Sequence, residues 1–222
     1  SAPLTVTTPA LDEGGDLIGY WKFDEGRGSA VFDSSDYGHD GFVVGATWEA
    51  GRAGNALDFD GRGDYVQIME ESSLDNLEAL TMAAWIYPRV DSHWHVLDKG
   101  DGDKRLYAEG TSLTLDGRIR YTGTHAVSQS VGNTLSLNTW QHVAMTWSRA
   151  TNTTRLYHNG LQVRYRLQDT GSGDVLEDTS HPFTVGARGA LGEVTFFDGL
   201  IDAVVLYNRD LSPREIRDLY EP

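Results

Sequence analysis

Apolar and polar positions alternate with a period of two through most of the chain, the mark of strands with one buried face. Val143, Met145 and Trp147 share one parity, with Ala144 and Thr146 between them, and Ile18 shares a parity with Tyr20. This pattern predicts strands over Leu17–Asp24, Ala56–Phe59, Tyr65–Ile68 and Thr81–Tyr87, the last stopped by Pro88. It predicts further strands over Leu106–Ala108, Ser112–Leu115, Arg118–Tyr121, His142–Trp147, Thr154–His158, Leu161–Arg166, Phe183–Val185 and Leu200–Tyr207. Turn chemistry punctuates them: Asp60–Asp64, Asp116-Gly117 and above all Asn159-Gly160, the strongest short hairpin signal in the chain. Helical pattern is confined to one turn within Glu70–Leu77 and to Ser212-Pro213-Arg214-Glu215, an N-cap with proline at N1 and an acid at N3 that predicts a helix over Pro213–Leu219. Short strands recurring every ten or so residues predict an all-β protein, a two-sheet antiparallel β-sandwich or a barrel.

Composition narrows this. The chain of 222 residues is of ordinary length for one β-sandwich, and with 25 glycines, 10 tyrosines and no cysteine it needs many turns and uses no disulfide. Residues 1–16, polar and carrying Pro3 and Pro9, read as a linker or N-terminal arm, with one domain over 17–222. A linker at one end suggests a module of a larger protein, and Ser1-Ala2-Pro3 reads as a processed or trimmed terminus from which an export signal was removed. No apolar run is long enough to span a membrane, so no membrane insertion is expected. A formal net charge of −15 argues against nucleic acid as a partner and suits cation binding.

Four segments carry a resemblance to a known family. They are Tyr20-Trp21-Lys22-Phe23-Asp24-Glu25-Gly26 with Asp33–Gly41; Ala56–Gly61 with Asp64-Tyr65-Val66; Trp140–Ala144 with Leu156–Gly160; and Phe197–Val204 with Tyr207-Asn208-Arg209 and the terminal helix. In this order, from residue 17 onward, they resemble the bacterial laminin-G-like domains of the concanavalin A-like lectin/glucanase superfamily. The resemblance implies a concanavalin A-like jelly roll. It leaves open whether the module is lectin-like, adhesive or enzymatic, since this fold hosts all three.

Asp33-Ser-Ser-Asp-Tyr-Gly-His-Asp-Gly packs three carboxylates and two glycines into nine residues. Such a loop can aim several oxygens at a hard cation such as calcium, with Asp33, Asp36 and Asp40 as ligands and His39 contributing its carbonyl. The resemblance implies that a carboxylate near the last strand joins the site, here Asp202, and that the first and last long strands lie side by side. The expected role of this calcium is structural. The alternative is an Asx-rich surface turn whose carboxylates cap backbone N–H groups.

Charge is unevenly spread. From Lys99 to Arg166 there are nine basic and four acidic residues, a local +5 that leaves −20 for the rest. By parity, Arg105, Tyr107, Arg118, Arg120 and His142 face away from the core. Arginine forks suit carboxylates and sulfates, and an aromatic suits a sugar ring, so these residues are candidate ligands for a polysaccharide or other glycan, in particular an acidic one. The alternative is a solvated face. Ser92-His93-Trp94-His95 reads as a rim loop in which Trp94 either stacks on sugar or plugs the core; the two histidines lack a third ligand for a transition metal.

No paired carboxylates stand on a strand in the glycosidase pattern, and no Gly-x-Ser-x-Gly elbow, His-Glu-x-x-His or phosphate loop is present. The expectation is therefore a non-catalytic, secreted or cell-surface carbohydrate-binding module. Two alternatives remain: a polysaccharide lyase using arginines such as Arg105 to neutralise a uronate carboxylate and Tyr107, His125 or His142 to move protons, and an adhesion domain that binds protein.

Overall fold

The computed structural model describes residues 14–69, 72–100, 103–179, 181–189 and 195–221. Most of the expected N-terminal arm lies outside the described residues, as does Glu70 of the expected helical turn, of which a 3-10 turn at Ser72–Leu74 is seen.

Among the described residues seventeen strands, numbered in chain order, form two antiparallel sheets. The eight-stranded sheet contains β1 (Leu17–Trp21), β4 (Thr47–Ala50), β5 (Asn55–Asp60), β7 (Ala79–Pro88), β12 (Gln141–Ser148), β13 (Thr153–His158), β14 (Leu161–Gln162) and β17 (Asp198–Tyr207). Its order is β14-β13-β12-β7-β17-β5-β4, with β1 also on β17. The nine-stranded sheet contains β2 (Ala30–Val31), β3 (Gly41–Val44), β6 (Tyr65–Ile68), β8 (Trp94–Lys99), β9 (Lys104–Ala108), β10 (Asp116–Ile119), β11 (Ala126–Ser130), β15 (Tyr165–Asp169) and β16 (Phe183–Val185). Its order is β15-β11-β10-β9-β8-β16-β6-β3-β2.

The alternating residues behave as their parity requires. Val143, Met145 and Trp147 are fully buried between the sheets with Trp21, Phe59, Trp94, Phe183 and Phe197. Trp21 stacks on Phe183 with centroids 5.6 Å apart, and Trp94 meets Phe197 edge-on at 5.0 Å. The first and last long strands pair as expected, Tyr20 opposite Val205 and Trp21 opposite Val204. Asn159 and Gly160 both take positive φ, the conformation a two-residue hairpin turn demands.

Three expectations fail locally. Ser112–Leu115, expected as a strand, lies in the loop between β9 and β10. Asp116-Gly117, read as a turn, lies inside β10. A Cβ on Gly117 would stand 2.6 Å from the Met145 sulfur, so this glycine lets β10 approach the opposite sheet rather than reverse the chain. The stretch expected as one strand, Leu161–Arg166, is broken at 163–164: β14 stays with the eight-stranded sheet and β15 crosses to the edge of the other.

The terminal helix α1 (Pro213–Tyr220) starts as the sequence indicates. Ser212 Oγ accepts the Glu215 N–H while Glu215 Oε2 accepts the Ser212 N–H. Hydrogen bonds from Arg209 and Ser212 hold the Glu215 carboxyl down at about 2. The helix buries Ile216 in a second apolar cluster with Ala83, Ala144, Tyr157, Val205 and Tyr207, on the outer face of the eight-stranded sheet. Among the described residues no helix covers the outer face of the nine-stranded sheet. No helix of the described residues is long and apolar enough to cross a membrane.

Candidate ligand face

Register places one continuous row of side chains across the outer face of the nine-stranded sheet. Thr184 is opposite Asp98, Asp98 opposite Arg105, Arg105 opposite Arg118, Arg118 opposite Val127, and Val127 opposite Asp169. The next row holds His95, Tyr107, Asp116 and Gln129. The expected outward parity of Arg105, Tyr107 and Arg118 is therefore what the structure shows, and the three residues come together.

Their environment differs from a bare solvated face. Arg105 is only 9% exposed, its guanidinium lying 4.2 Å from the Tyr107 ring centre and its Nη1 3.2 Å from His95 Nε2. Burial, with Arg118 and Arg188 close by, holds its pKa below the usual arginine value. The Nε atoms of Arg105 and Arg118 are buried with no acceptor among the described residues, a feature that calls for an explanation in any native fold. His95 is buried; desolvation and the same arginines hold it well below the usual histidine range, so it is neutral, accepting from Arg105 and donating from Nδ1 to Thr195 Oγ1 at 2.6 Å. Asp116, fully buried and short of a partner for Oδ1, is pushed up to about 6 by desolvation.

Tyr107 corrects one expectation. It is fully buried, with the His95 ring centre 5.4 Å and the Arg105 guanidinium 4.2 Å from its own ring centre and its hydroxyl directed to Glu109 Oε2 at 3.3 Å. Buried in this way, it orients Arg105 and offers no platform to a sugar. Trp94 corrects another. It opens β8 instead of sitting in a rim loop, and it is 1% exposed with Nε1 donating to the Val90 carbonyl. The apolar pocket made by Phe197 and the core outweighs any surface role.

Arg120, half-buried beyond the end of β10, forms an ion pair with Asp103 at 3.0 Å. It stays close enough to His125 for its charge, with burial and Arg118, to lower that histidine's pKa. His142 leaves the group altogether. It points outward as its parity requires, but on the other sheet, where Trp85 and Tyr220 of α1 cover it; full burial lowers it to about 3.

Of the five expected metal ligands, four stay in one loop and Asp202 lies apart from it. Asp33 is saturated by that loop and β1: Oδ1 accepts from Tyr20 N and Ser35 N, and Oδ2 from Ser35 Oγ and His39 N. Asp40 Oδ1 accepts from Asp33 N, and the carbonyl of His39 accepts from the Trp21 indole. The His39 ring bridges Ile18 O and Ser73 Oγ, and Asp36 is exposed. This is the Asx-turn arrangement.

Asp202 sits elsewhere, at a bulge in β17, 2% exposed, its Oδ2 accepting from Arg52 N at 2.8 Å and Ala53 N at 3.3 Å. Its acidic neighbour is Asp24, whose Oδ1 accepts from Asn55 N. Desolvation, with Asp24 adding to it, raises Asp202 to about 7 against the pull of those amides. The turn at 51–55 wedges between the two acids: a Cβ on Gly54 would strike Asp24 Oδ1, and one on Gly51 would come within 2.7 Å of Asp202 Oδ2. Among the described residues no three His, Asp or Glu side chains converge as a metal cage. Asp24 was visible within the first family segment as the acid after Phe23, and Asp169 as the last residue of β15, but nothing local in the sequence gives their partners.

The fold and its motifs define a laminin-G-type sandwich. The family model of the concanavalin A-like lectin/glucanases superfamily matches residues 60–217, and the chain belongs to that family. No curated protein sequence matches it. Among solved structures it is similar to the binding domain of Paraclostridial Mosquitocidal Protein 1, at 16% identity and TM-score 0.73, over 92% of this chain and 52% of that one. It is similar to domain 4 of AbnA, a GH43 extracellular arabinanase from Geobacillus stearothermophilus, in complex with arabinotriose, at 18% identity and TM-score 0.64, over 93% and 98%. It is also similar to the botulinum neurotoxin serotype D ligand binding domain in complex with N-acetylneuraminic acid, at 13% identity and TM-score 0.71, over 93% and 51%. The chain thus spans about half the length of the toxin domains. At these identities the likeness is one of fold.

Proposed function

We propose that the protein is a lectin-like module that binds an anionic polysaccharide on the outer face of its nine-stranded sheet. The observation that carries this reading is the Arg105–Arg118 pair, two adjacent cations whose Nε atoms have no acceptor among the described residues. A carboxylate or sulfate laid on the row pairs with the half-buried Arg118 guanidinium and offsets its repulsion with Arg105. The arabinotriose and N-acetylneuraminic acid bound by similar folds support a glycan as the ligand class. The glycan is extracellular on this reading, and the protein acts outside the cell as one module of a larger chain. The lyase alternative loses two of its three proton carriers, because Tyr107 is buried and pushed up to about 12 and His142 is on the other sheet, which leaves His125 beside the arginines.

Affinity electrophoresis tests the reading. Alginate, pectin, ulvan or carrageenan in the gel should retard the protein, less so as salt rises, and Arg118→Ala should reduce the retardation without unfolding the sandwich. Retardation by neutral glucans alone, indifferent to salt and to this substitution, would overturn it.

Calcium belongs to the proposal at Asp202 and Asp24 rather than at the Asp33 loop. Asp33 has no lone pair to spare, whereas Asp202 is a buried carboxylate whose charge is poorly compensated. A hard cation held by Asp24, Asp202 and backbone oxygens of the 51–55 turn would neutralise both acids and pin β1, β17 and that turn together. Calcium binding would be purely structural.

A further inference from the structure

Beside Arg118 the outer face sinks into a shallow recess lined by Gly123, Thr124, His125, Val127, Asp169 and Thr170. Its floor is the apolar side chain of Val127, which register places directly between Arg118 and Asp169. Two strand spacings, about 10 Å of backbone, separate these charged residues. Arg118 is half-buried and Asp169 is exposed on the edge strand β15. His125 Nδ1 accepts the Tyr121 N–H at 3.2 Å, so the neutral ring carries its proton on Nε2 and contributes a donor. Across three neighbouring strands the order is therefore cation, apolar floor, anion.

That order matches one kind of sugar. A uronosyl ring carries a carboxylate on C5 and a pair of vicinal hydroxyls at C2 and C3, across the ring, with an apolar C–H face between. We infer that the recess is a subsite for a single uronosyl residue, its carboxylate on Arg118, its C–H face over Val127 and its vicinal diol donating to Asp169. This rests on the proposed binding face and narrows its ligand from any polyanion to a uronate with free hydroxyls at C2 and C3. A sulfate ester has no use for Asp169, and a carboxylate turned the other way would face that acid.

The sign of one substitution separates this from simple charge attraction. Removing an acid beside an anionic ligand strengthens binding if Asp169 is a bystander, because repulsion falls. If Asp169 accepts the diol, Asp169→Ala weakens binding, by about tenfold for a charge-assisted pair of hydrogen bonds. The probes are trisaccharides of galacturonate, mannuronate and guluronate, measured by titration calorimetry at low salt, each also as its 2,3-di-O-acetyl derivative. The inference expects at least one free trisaccharide to bind wild type, to lose about tenfold on Asp169→Ala, and to lose that sensitivity to the variant once acetylated. Asp169→Asn, which keeps an acceptor oxygen and the shape, should fall between the two. Binding that is unchanged or tighter in Asp169→Ala overturns the inference and leaves the face standing. Failure of wild type to bind any of the uronates while carrageenan still binds overturns the inference alone; failure to bind either overturns the face itself. Melting temperatures of both variants equal to wild type ensure that lost binding is not lost fold.

Discussion

Lys104 and Arg105 are neighbours in sequence, in one strand, and have opposite fates. Lys104 points inward with Lys99, in a row that continues to Phe183 and Ile119. There it meets the Asp178 carboxylate, both side chains essentially unexposed. Lys99 Nζ reaches Asp75 Oδ1 at 2.7 Å and the carbonyls of Asp178 and His181, and Asp178 Oδ1 accepts the Asn76 N–H. Every charge in this inner group has an internal partner, and the group clamps the loops around residues 75 and 178 to the sheet. Arg105, one residue on, faces outward onto Arg118 and keeps a buried Nε without an acceptor. The local +5 of the sequence thus divides: Lys99 and Lys104 are spent on the fold, Arg120 and Arg149 pair with acids, and Arg105 and Arg118 keep Nε atoms without an acceptor among the described residues. Pairing, rather than charge count, separates a structural cation from a binding one.

The comparison breaks most sharply at Lys104. Lys104→Ala strands Asp178 in the interior and should cost about 3–5 kcal/mol, read as a large fall in the denaturation midpoint, while a variant that folds should still bind polyanion. If stability barely changes, the inner group is not the clamp described. The next largest effect concerns Asp202, whose folded pKa of about 7 lies above the ordinary carboxylate value near 3.8. The folded state then holds its proton more tightly than the unfolded one, so the contribution of this group to stability is present below about pH 4 and is lost as pH rises through 7. Asp202→Asn should therefore gain stability relative to wild type as pH rises from 5 to 8 without calcium, by a few kcal/mol at most. Excess calcium should raise the melting temperature of wild type at pH 8 and not that of the variant. Identical pH profiles for the two proteins, and no calcium effect, would remove both the buried carboxylate and the metal from the account. Smaller again, Arg118→Ala should weaken polyanion binding about tenfold, or about 1.4 kcal/mol, and shift stability by less than about 0.5 kcal/mol. The mirror image of Lys104→Ala is the point: one substitution costs fold and spares binding, the other does the reverse.

Much of this was legible in the chain, and what was not has a common cause. The capping box at Ser212, the Asn159-Gly160 turn, the inward parity of Val143, Met145 and Trp147 and the outward parity of Arg105 and Arg118 are local properties that the sequence carries within a few residues. The burial of Trp94, Tyr107 and His142 is not legible locally because it depends on what arrives from elsewhere: Phe197 on Trp94, the His95 ring and Arg105 guanidinium on Tyr107, and the terminal helix on His142. Asp202 was assigned to the wrong acid for a related reason. The expected pairing of β1 with β17 is right, but it places Val204 opposite Trp21, and the acid beyond it then falls beside Asp24 rather than beside the Asp33 loop. The recess at Asp169 was invisible because the chain leaves one sheet for the other at residues 163–164, which no periodicity announces.

The central claim is one of place: the outer face around Arg118 is where ligand binds. Amide and side-chain NMR shifts of the protein titrated with trigalacturonate test it most directly. The account predicts saturable changes confined to Arg105, Arg118, His125, Val127, Gln129 and Asp169, with the helix-covered face around Trp85 and Tyr220 silent. Changes centred on the 51–55 turn and Asp202, or on the helix-covered face, with none around Arg118, would contradict it.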